Sequence, residues 1–284
     1  MRSKLFVPGS SPALLAKALA GQADAISIDL EDSVIERRKS ESREFVGMFL
    51  QSSHVTSSNK VMLVRCNAVN TRHFLHDLAA VVVPGLSMLN LPKVESPDDV
   101  LTAVAALQRA EAGNSVTTPV RILATIESPK ALRAASEIAA AHPRMAGLQL
   151  GLSDLFAPLG IDRSDAASIH AAMFAVRMAA GDAGIFAYDG AFVDVRDPQG
   201  FRAEAEMARR LGYWGKSCIH PSQVQLANEV FVPSAEDIAF ARRVLEASDR
   251  AESDGAGAFM VDGRMIDLPT IRRAQVIVGA SRRS

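Results

Sequence analysis

Eight short apolar runs, each followed by a more polar segment, restrict the fold of this 284-residue chain more than any other feature. The runs are rich in Val, Ile and Leu and are closed by Pro, Gly or an acidic residue, which is typical of buried strands. Strands that alternate with helices predict a parallel α/β sheet, and eight of them can close into a (β/α)8 barrel. An open doubly wound sheet is the alternative, although no G-x-G-x-x-G motif follows the first run to support its nucleotide-binding form. The predicted strands are residues 3–7, 24–30, 61–66, 87–91, 120–129, 145–154, 185–188 and 214–219.

Helical spacing is found between these runs, but the chain from residue 234 onward departs from the alternation. There an amphipathic helix (234–252), a glycine-rich hinge (253–258), a hairpin around Asp262-Gly263 (259–266) and a final helix (269–278) are predicted. We therefore predict a barrel domain of residues 1–233 and a C-terminal segment of residues 234–284, acting as a lid or subunit contact. A helix that only covers the outside of the barrel remains the alternative. The other predicted helices are residues 12–20, 36–49, 73–83, 98–112, 130–141, 164–183 and 200–211.

Charge, apolar runs and cysteine content each bear on the class of protein that this chain belongs to. The formal net charge is −1, which gives no support for a nucleic-acid-binding surface. No run approaches the roughly 18 apolar residues of a membrane helix, and the N-terminus lacks the apolar segment of a secretory signal. Cys66 and Cys218, the only cysteines, fall in predicted strands and are expected to be buried thiols. The sequence predicts a cytoplasmic protein.

Polar side chains concentrate where the predicted strands end. In a barrel these ends meet at one rim, which is where such folds carry their active sites. Glu127 closes the run VRILATIESP and Asp154 closes the run MAGLQLGLSD. Two acids at the ends of successive strands suit Mg²⁺, which takes oxygen ligands and keeps waters; ordinary strand-end acids are the alternative. The full rim set is Asp29, Glu31, Asp32, Arg65, Asn67, Lys93, Glu127, Asp154, Asp189 and His220.

Nine motifs carry a family resemblance: RSKLFVPG, DAISIDLEDSV, LVRCN, LNLPKVES, ATIESP, GLSDL, RDPQGF, CIHPSQ and DGRMIDLP. Their order and spacing, from Arg2 to about Val278, resemble the citrate lyase beta-subunit-like acyl-CoA lyases of the HpcH/HpaI aldolase superfamily. The resemblance implies a (β/α)8 TIM barrel with a C-terminal lid. It also implies Mg²⁺-dependent cleavage or formation of a carbon–carbon bond beside a thioester, with malyl-, citramalyl-, 3-hydroxy-3-methylglutaryl- or citryl-CoA and a keto acid as reactants.

Four residues receive roles from the resemblance. Glu127 and Asp154 match the metal ligands, with Glu127 also close to substrate, and Arg65 matches the arginine that contacts a substrate carboxylate or thioester oxygen. Asp267 matches a lid aspartate that serves as acid/base. In several relatives the lid closes over a neighbouring barrel, which implies a homo-oligomer, a homotrimer or higher.

The remaining rim residues receive lesser roles, and the sequence departs from the family in one loop. Glu31 and Asp32 are expected to order waters around the metal, and His220 to form hydrogen bonds at the rim. Relatives often read G-A-E-D-L where this chain has GLSDL, which keeps Asp154 and leaves the acyl group undetermined. A Schiff-base role for Lys93, a metal-dependent aldolase acting on free keto acids, and a partner-dependent citrate lyase subunit stay open as alternatives.

Overall fold

The predicted barrel is present in the computed structural model, which describes residues 1–253 and 258–281. Over those residues eight parallel strands form one closed barrel in chain order. The last strand pairs with the first, with Ser3 opposite Lys216 and Leu5 opposite Cys218. The strands are β1 (Ser3–Pro8), β2 (Ala25–Asp29), β3 (Val61–Arg65), β4 (Met88–Leu91), β5 (Arg121–Ile126), β6 (Met145–Leu150), β7 (Phe186–Ala191) and β8 (Lys216–Cys218).

Helices connect the successive parallel strands, as βα units require. Several begin at side chains that accept a hydrogen bond from the first turn, among them Ser96 before α5 and Ser128 before α6. No helix of the described part is both long and apolar enough to span a bilayer. The helices are α1 (Pro12–Ala20), α2 (Lys39–Leu50), α3 (Ser53–Thr56), α4 (Phe74–Val81), α5 (Pro97–Gly113), α6 (Pro129–Arg133), α7 (Ala135–Ala140), α8 (Leu152–Phe156), α9 (Ala166–Asp182), α10 (Pro198–Arg210) and α11 (Pro221–Val230).

The sequence prediction merged α6 with α7 and missed α3, α8 and α11. Residues 130–141 were predicted as one helix, but the chain breaks at Ala134, where ψ is 7°. Helix α11 was not predicted, although its buried residues Val224, Ala227 and Val230 recur at helical spacing. Helix α8 was also not predicted, although it is the element that carries Asp154.

Buried cations occupy both sides of the barrel wall. Lys4 lies inside the barrel, because its ammonium reaches Gln149 on β6, a strand that does not neighbour β1. Lys216 lies outside, where it donates to Asp189 on β7 (2.6 Å) and to Glu204 on α10 (2.7 Å). The thiols of Cys66 and Cys218 are both free and buried, as predicted.

The chain divides into two compact units, Met1–Asn228 and Glu229–Ser284. The second contains α12 (Ala235–Ser253), the antiparallel strands β9 (Phe259–Val261) and β10 (Arg264–Ile266), and α13 (Leu268–Ser281). The predicted hairpin is confirmed: Asp262 and Gly263 form its turn with φ values of 51° and 75°. Most of the predicted hinge, residues 254–257, lies outside the described residues. A domain boundary after residue 233 stays a prediction.

Candidate active site

Three of the four residues given roles above lie at the C-terminal end of the barrel. Arg65 is the last residue of β3, Glu127 directly follows β5, and Asp154 lies in the first turn of α8 after β6. Glu127 and Asp154 line one cavity of about 670 Å³. Asp267 belongs to the second unit and is described separately below. The other side chains around the cavity are Val69, Asn70, Lys93, Glu95, Ser96, Asp99, Ser128, Lys130 and Pro158.

Glu127 is a buried carboxylate held on two sides. Its exposed fraction is 7%, and its Oε1 accepts the backbone N–H of Lys93 at 2.5 Å. The opposite oxygen, Oε2, lies beside Gly151, where an added Cβ would stand 2.8 Å from it. Glycine at this position therefore leaves the room that the carboxylate occupies. Burial, together with the charges of Glu31 and Asp154, raises the pKa of Glu127 to about 7, although the Lys93 N–H lowers it.

Asp154 supplies an exposed carboxylate to the same cavity. Its position follows from the sharp exit of β6, where the N–H of Gly151 still bonds to Ile126 O at 2.9 Å before α8 begins. The chain after Glu127 is fixed in a similar way, because Ser128 Oγ accepts the N–H of Ala131 at 3.1 Å. Glu127 therefore lies on the short connection between β5 and α6, and Asp154 lies in the first turn of the helix that follows β6.

Arg65 is locked in place by acids on the neighbouring strand. Its Nε and Nη2 donate to the two oxygens of Asp29, both at 2.7 Å, and its Nη1 lies 3.0 Å from Glu31 Oε2. Its guanidinium carbon also stands 5.3 Å from the centre of the Phe6 ring. Burial would lower the pKa of Arg65, but the bonds and charges of Asp29 and Glu31 raise it. This arginine is a fixed cation at the mouth of the barrel.

The pKa values of Asp29 and Glu31 shift in opposite directions beside this cation. Burial would raise the pKa of Asp29, but the hydrogen bonds and charge of Arg65 hold it below its usual value. For Glu31, which is 6% exposed, burial dominates and the pKa is raised despite Arg65 and Lys93. Asp32 is different again, with a side chain 58% exposed and only long contacts to Arg65 (3.6 Å) and Lys93 (3.5 Å).

Lys93 links two of these carboxylates and was not predicted to do so. Its ammonium lies 2.7 Å from Glu31 Oε1, while its backbone N–H bonds to Glu127. Burial would lower the pKa of Lys93, but Glu31 raises it, which keeps the amine protonated and speaks against a Schiff-base role. The sequence around Lys93 did not indicate its left-handed backbone, which brings the N–H to Glu127 and the ammonium to Glu31. The close approach of Glu127 to Gly151 did have a sequence signal, because glycine at the end of a strand often marks a place where another part of the chain comes near.

Other residues of the predicted rim set serve the scaffold. Asp189 is fully buried and faces Lys216 rather than the cavity, which corrects its placement at the rim. Asn67 is 4% exposed and bonds to Asp77 and to Leu30 O. His220 forms a hydrogen bond with Ser222 at 2.8 Å, as expected.

The donor set fits a hard divalent cation that keeps open positions. Among residues 1–253 and 258–281, no group of three or more His, Cys, Asp and Glu side chains is arranged around one metal position. The pair Glu127 and Asp154 alone suits Mg²⁺, which is commonly bound through one or two carboxylates and retains several waters. A cation would also offset the repulsion between Glu127 and its acidic neighbours. The residues present therefore fit the ion.

Asp267 caps a helix in the second unit. Its Oδ1 accepts the N–H of Thr270 at 3.1 Å and the hydroxyl of Thr270 at 2.7 Å, at the start of α13. These bonds lower the pKa of Asp267, which is exposed. The structure thus gives Asp267 a helix-capping role through Oδ1, while Oδ2 makes no bond to Thr270.

Comparisons with known proteins agree with this architecture. The family model for "HpcH/HpaI aldolase/citrate lyase" matches residues 2–221. The chain is 36% identical over 284 residues to citrate lyase subunit beta of Haemophilus influenzae, covering 98% of this chain and 95% of that protein. It is 35% identical over 299 residues to L-malyl-CoA/beta-methylmalyl-CoA lyase of Rhodobacter capsulatus, covering 98% and 93%. The structure of CitE from Mycobacterium tuberculosis in complex with magnesium, acetoacetate and coenzyme A matches with a TM-score of 0.78 and 30% identity, covering 99% of this chain and all of that one.

Proposed function

The chain belongs to the HpcH/HpaI aldolase/citrate lyase family, and we propose on that premise that it is a Mg²⁺-dependent carbon–carbon lyase. Its substrate is a short β-hydroxyacyl-CoA thioester, which it cleaves to a keto acid and an acyl thioester or forms in the reverse direction. The observation that carries the proposal is the pairing of buried Glu127 with Asp154 in one cavity, beside the fixed cation Arg65. We also propose a homo-oligomer, with a trimer expected, in the cytoplasm.

Glu127 and Asp154 are the residues that would hold Mg²⁺. When bound, the ion supplies a Lewis acid for the substrate's hydroxyl or keto oxygen and neighbouring carboxylate. The burial of Glu127 gives that charge a poorly solvated setting, where electrostatic interactions are strong. The Lys93 N–H and the space at Gly151 fix the carboxylate before substrate arrives, so no reorganisation is needed on binding.

Arg65 is proposed to stabilise the thioester enolate. Bond cleavage sends the electron pair of the broken carbon–carbon bond to the thioester, so negative charge develops on its oxygen. A guanidinium has five N–H donors, and the contacts to Asp29 and Glu31 use three of them. The remaining donors can meet the enolate oxygen, and the acids hold the group still while they do so.

Asp267 is proposed as the acid/base that exchanges a proton with the enolate carbon. The support is its position in the motif RMIDLP, together with an exposed carboxylate on a small unit of its own. Its Oδ1 is used in capping α13, which orients the side chain. Substitution by Asn preserves the shape and the capping oxygen, so Asp267→Asn removes the proton-transfer group with little effect on the helix.

The test is release of keto acid from malyl-, citramalyl-, 3-hydroxy-3-methylglutaryl- and citryl-CoA, with Mg²⁺ and with a chelator. We expect Mg²⁺-dependent turnover of one of these, a loss of about 100-fold or more in Asp267→Asn, and near-normal turnover in Asp262→Asn, an exposed aspartate of the same unit. No turnover of any CoA ester by a protein that binds Mg²⁺ would refute the autonomous lyase. Turnover of a free hydroxy acid without CoA would establish the aldolase alternative.

A partner-dependent citrate lyase subunit is the second candidate, favoured by the 36% identity to citrate lyase subunit beta. It predicts no turnover of CoA esters by the isolated chain and restored turnover with an acyl-carrier thioester. The same set of assays with both carriers therefore separates the two functions.

A further inference from the structure

Lys93 has a backbone conformation that few residues adopt. Its φ is 53°, in the left-handed region, and only Ser115 and Asp262 share a positive φ among the non-glycine residues that the structure describes. Such a conformation carries strain that the surroundings must offset. At Asp262 the hairpin turn accounts for it. At Lys93 the residue lies between β4 and α5, at the mouth of the barrel, where it lines the candidate cavity.

The left-handed turn lets one residue act on two carboxylates. The N–H of Lys93 holds Oε1 of Glu127 at 2.5 Å, which leaves Oε2 on the side of Gly151 and of the strand that leads to Asp154. The ammonium of the same residue lies 2.7 Å from Oε1 of Glu31. The backbone N–H of Lys93 thus orients the carboxylate of Glu127, while its ammonium pairs with Glu31.

Glu31 is the acid that most needs such a partner. It is 6% exposed, and its charge is one of those that raise the pKa of Glu127, so the two carboxylates lie near each other. Its Oε2 is held by Arg65 at 3.0 Å and its Oε1 by Lys93. Without those cations, the Glu31 carboxylate would be free to turn toward a divalent ion held by Glu127 and Asp154, as a third anionic ligand. Three carboxylates would fill positions that the proposed reaction needs for substrate oxygens.

We propose that Lys93 is a positioning residue that keeps Glu31 out of the coordination sphere of the metal, so that the ion retains open positions for substrate. The inference rests on the proposed function, because it requires a metal held by Glu127 and Asp154. In this proposal the side chain of Lys93 determines how many coordination positions of the metal stay open, and its backbone N–H orients Glu127. Removal of the ammonium should therefore tighten metal binding and reduce the coordinated water.

The experiment uses Mn²⁺ as the probe, because it accepts the same oxygen ligands and its coordinated waters are counted by water-proton relaxation. Wild type, Lys93→Met, Lys93→Met/Glu31→Gln and Lys130→Met are titrated with Mn²⁺. Lys130 is the matched control, since it is an exposed lysine of the same cavity that pairs with Glu95 at 3.2 Å instead of Glu31. Its loss removes the same charge without releasing Glu31.

We expect Lys93→Met to lose about one coordinated water and to bind Mn²⁺ roughly tenfold more tightly, because a further carboxylate joins the ion. The double variant should regain the wild-type water count, and Lys130→Met should keep it. An unchanged water count in Lys93→Met, or an equal change in Lys130→Met, would overturn the role of Lys93. Failure of the wild type to bind Mn²⁺ or Mg²⁺ would instead refute the metal site of the proposed function.

Discussion

Proton competition at Glu127 should make the Mg²⁺ affinity of this protein strongly dependent on pH. Burial, with the charges of Glu31 and Asp154, raises the pKa of Glu127 to about 7. A protonated carboxyl does not bind the cation, so proton and metal compete for the same oxygens. With one competing proton, the apparent Kd is multiplied by about 11 at pH 6 and by about 1.1 at pH 8. We therefore expect Mg²⁺ binding to weaken about tenfold between pH 8 and pH 6.

Isothermal titration calorimetry with Mg²⁺ at pH 6, 7 and 8, at constant ionic strength, measures this change. Glu127→Gln is the control, because it keeps the size of the side chain and removes its titration; it should bind weakly at every pH. Wild-type Kd values that agree within twofold between pH 6 and pH 8 would refute the reasoning, since a buried carboxylate ligand could not then be the titrating group.

The same pKa gives a signature in the metal-free protein. The pKa of Glu127 is about 7 in the folded state against 4.5 for an ordinary glutamate, so the folded state binds more protons between these values. Stability from this group is fully present below pH 4.5 and is lost as pH rises to about 7. The loss is on the order of 3 kcal/mol. The free energy of unfolding, measured in urea with a chelator, should fall more steeply between pH 4.5 and 7 for wild type than for Glu127→Gln. Parallel pH dependences of the two proteins would contradict the assignment.

Three further predictions follow from the structure. Gly151→Ala should weaken Mg²⁺ binding about tenfold or more, because its Cβ would lie 2.6 Å from the neighbouring metal-site side chain, whereas Gly113→Ala, with no atom within 4 Å of the added carbon, should leave the Kd of a calorimetric titration unchanged. Lys216→Met should lower the free energy of unfolding in urea by about 3–5 kcal/mol, because its two acidic partners stay buried without their shared cation. The double change Lys4→Met and Gln149→Met should raise that free energy by about 1–4 kcal/mol, because a fully buried ammonium meets no carboxylate within the described residues.

Each of these has an outcome that would contradict it. Equal Kd values for the two glycine variants would show that the space beside the metal-site side chain is not needed. A Lys216 variant as stable as wild type would mean that its partners are protonated or solvated in the folded state. A Lys4 double variant that is destabilised would show that the ammonium and amide stabilise the barrel interior.

The barrel could be predicted from the sequence because it depends on local properties. A strand buried on both faces needs a short run of apolar, branched residues, and the eight confirmed strands overlap the eight predicted runs. The positions of Glu127 and Asp154 at one end of the barrel follow from the same property, since a strand's end is read directly from where its apolar run stops. Helix α11 was missed because it has only ten residues, so its apolar period rests on a few side chains such as Val224, Ala227 and Val230.

The contacts of the site could not be predicted, because they depend on direction and register. Asp189 stands near a strand end like Glu127, but it faces α10, and alternation along a strand means that one residue of difference reverses the side. The left-handed backbone of Lys93 has no signature in its side chain. The space at Gly151 becomes evident only when the neighbouring strand is in place.

The closure of the barrel sets the order in which this chain can reach its native state. β8 has three residues, and it completes the cylinder by pairing with a strand that begins at Ser3. Ser3 Oγ also donates to Asn228 at 2.7 Å, and Lys216 can satisfy its charge only between β7 and α10. Contacts between such distant parts of a chain form late in folding, because loop entropy must be lost before they contribute. During synthesis, the edge of β1 that pairs with β8 therefore stays unpaired until the residues through Cys218 have left the ribosome.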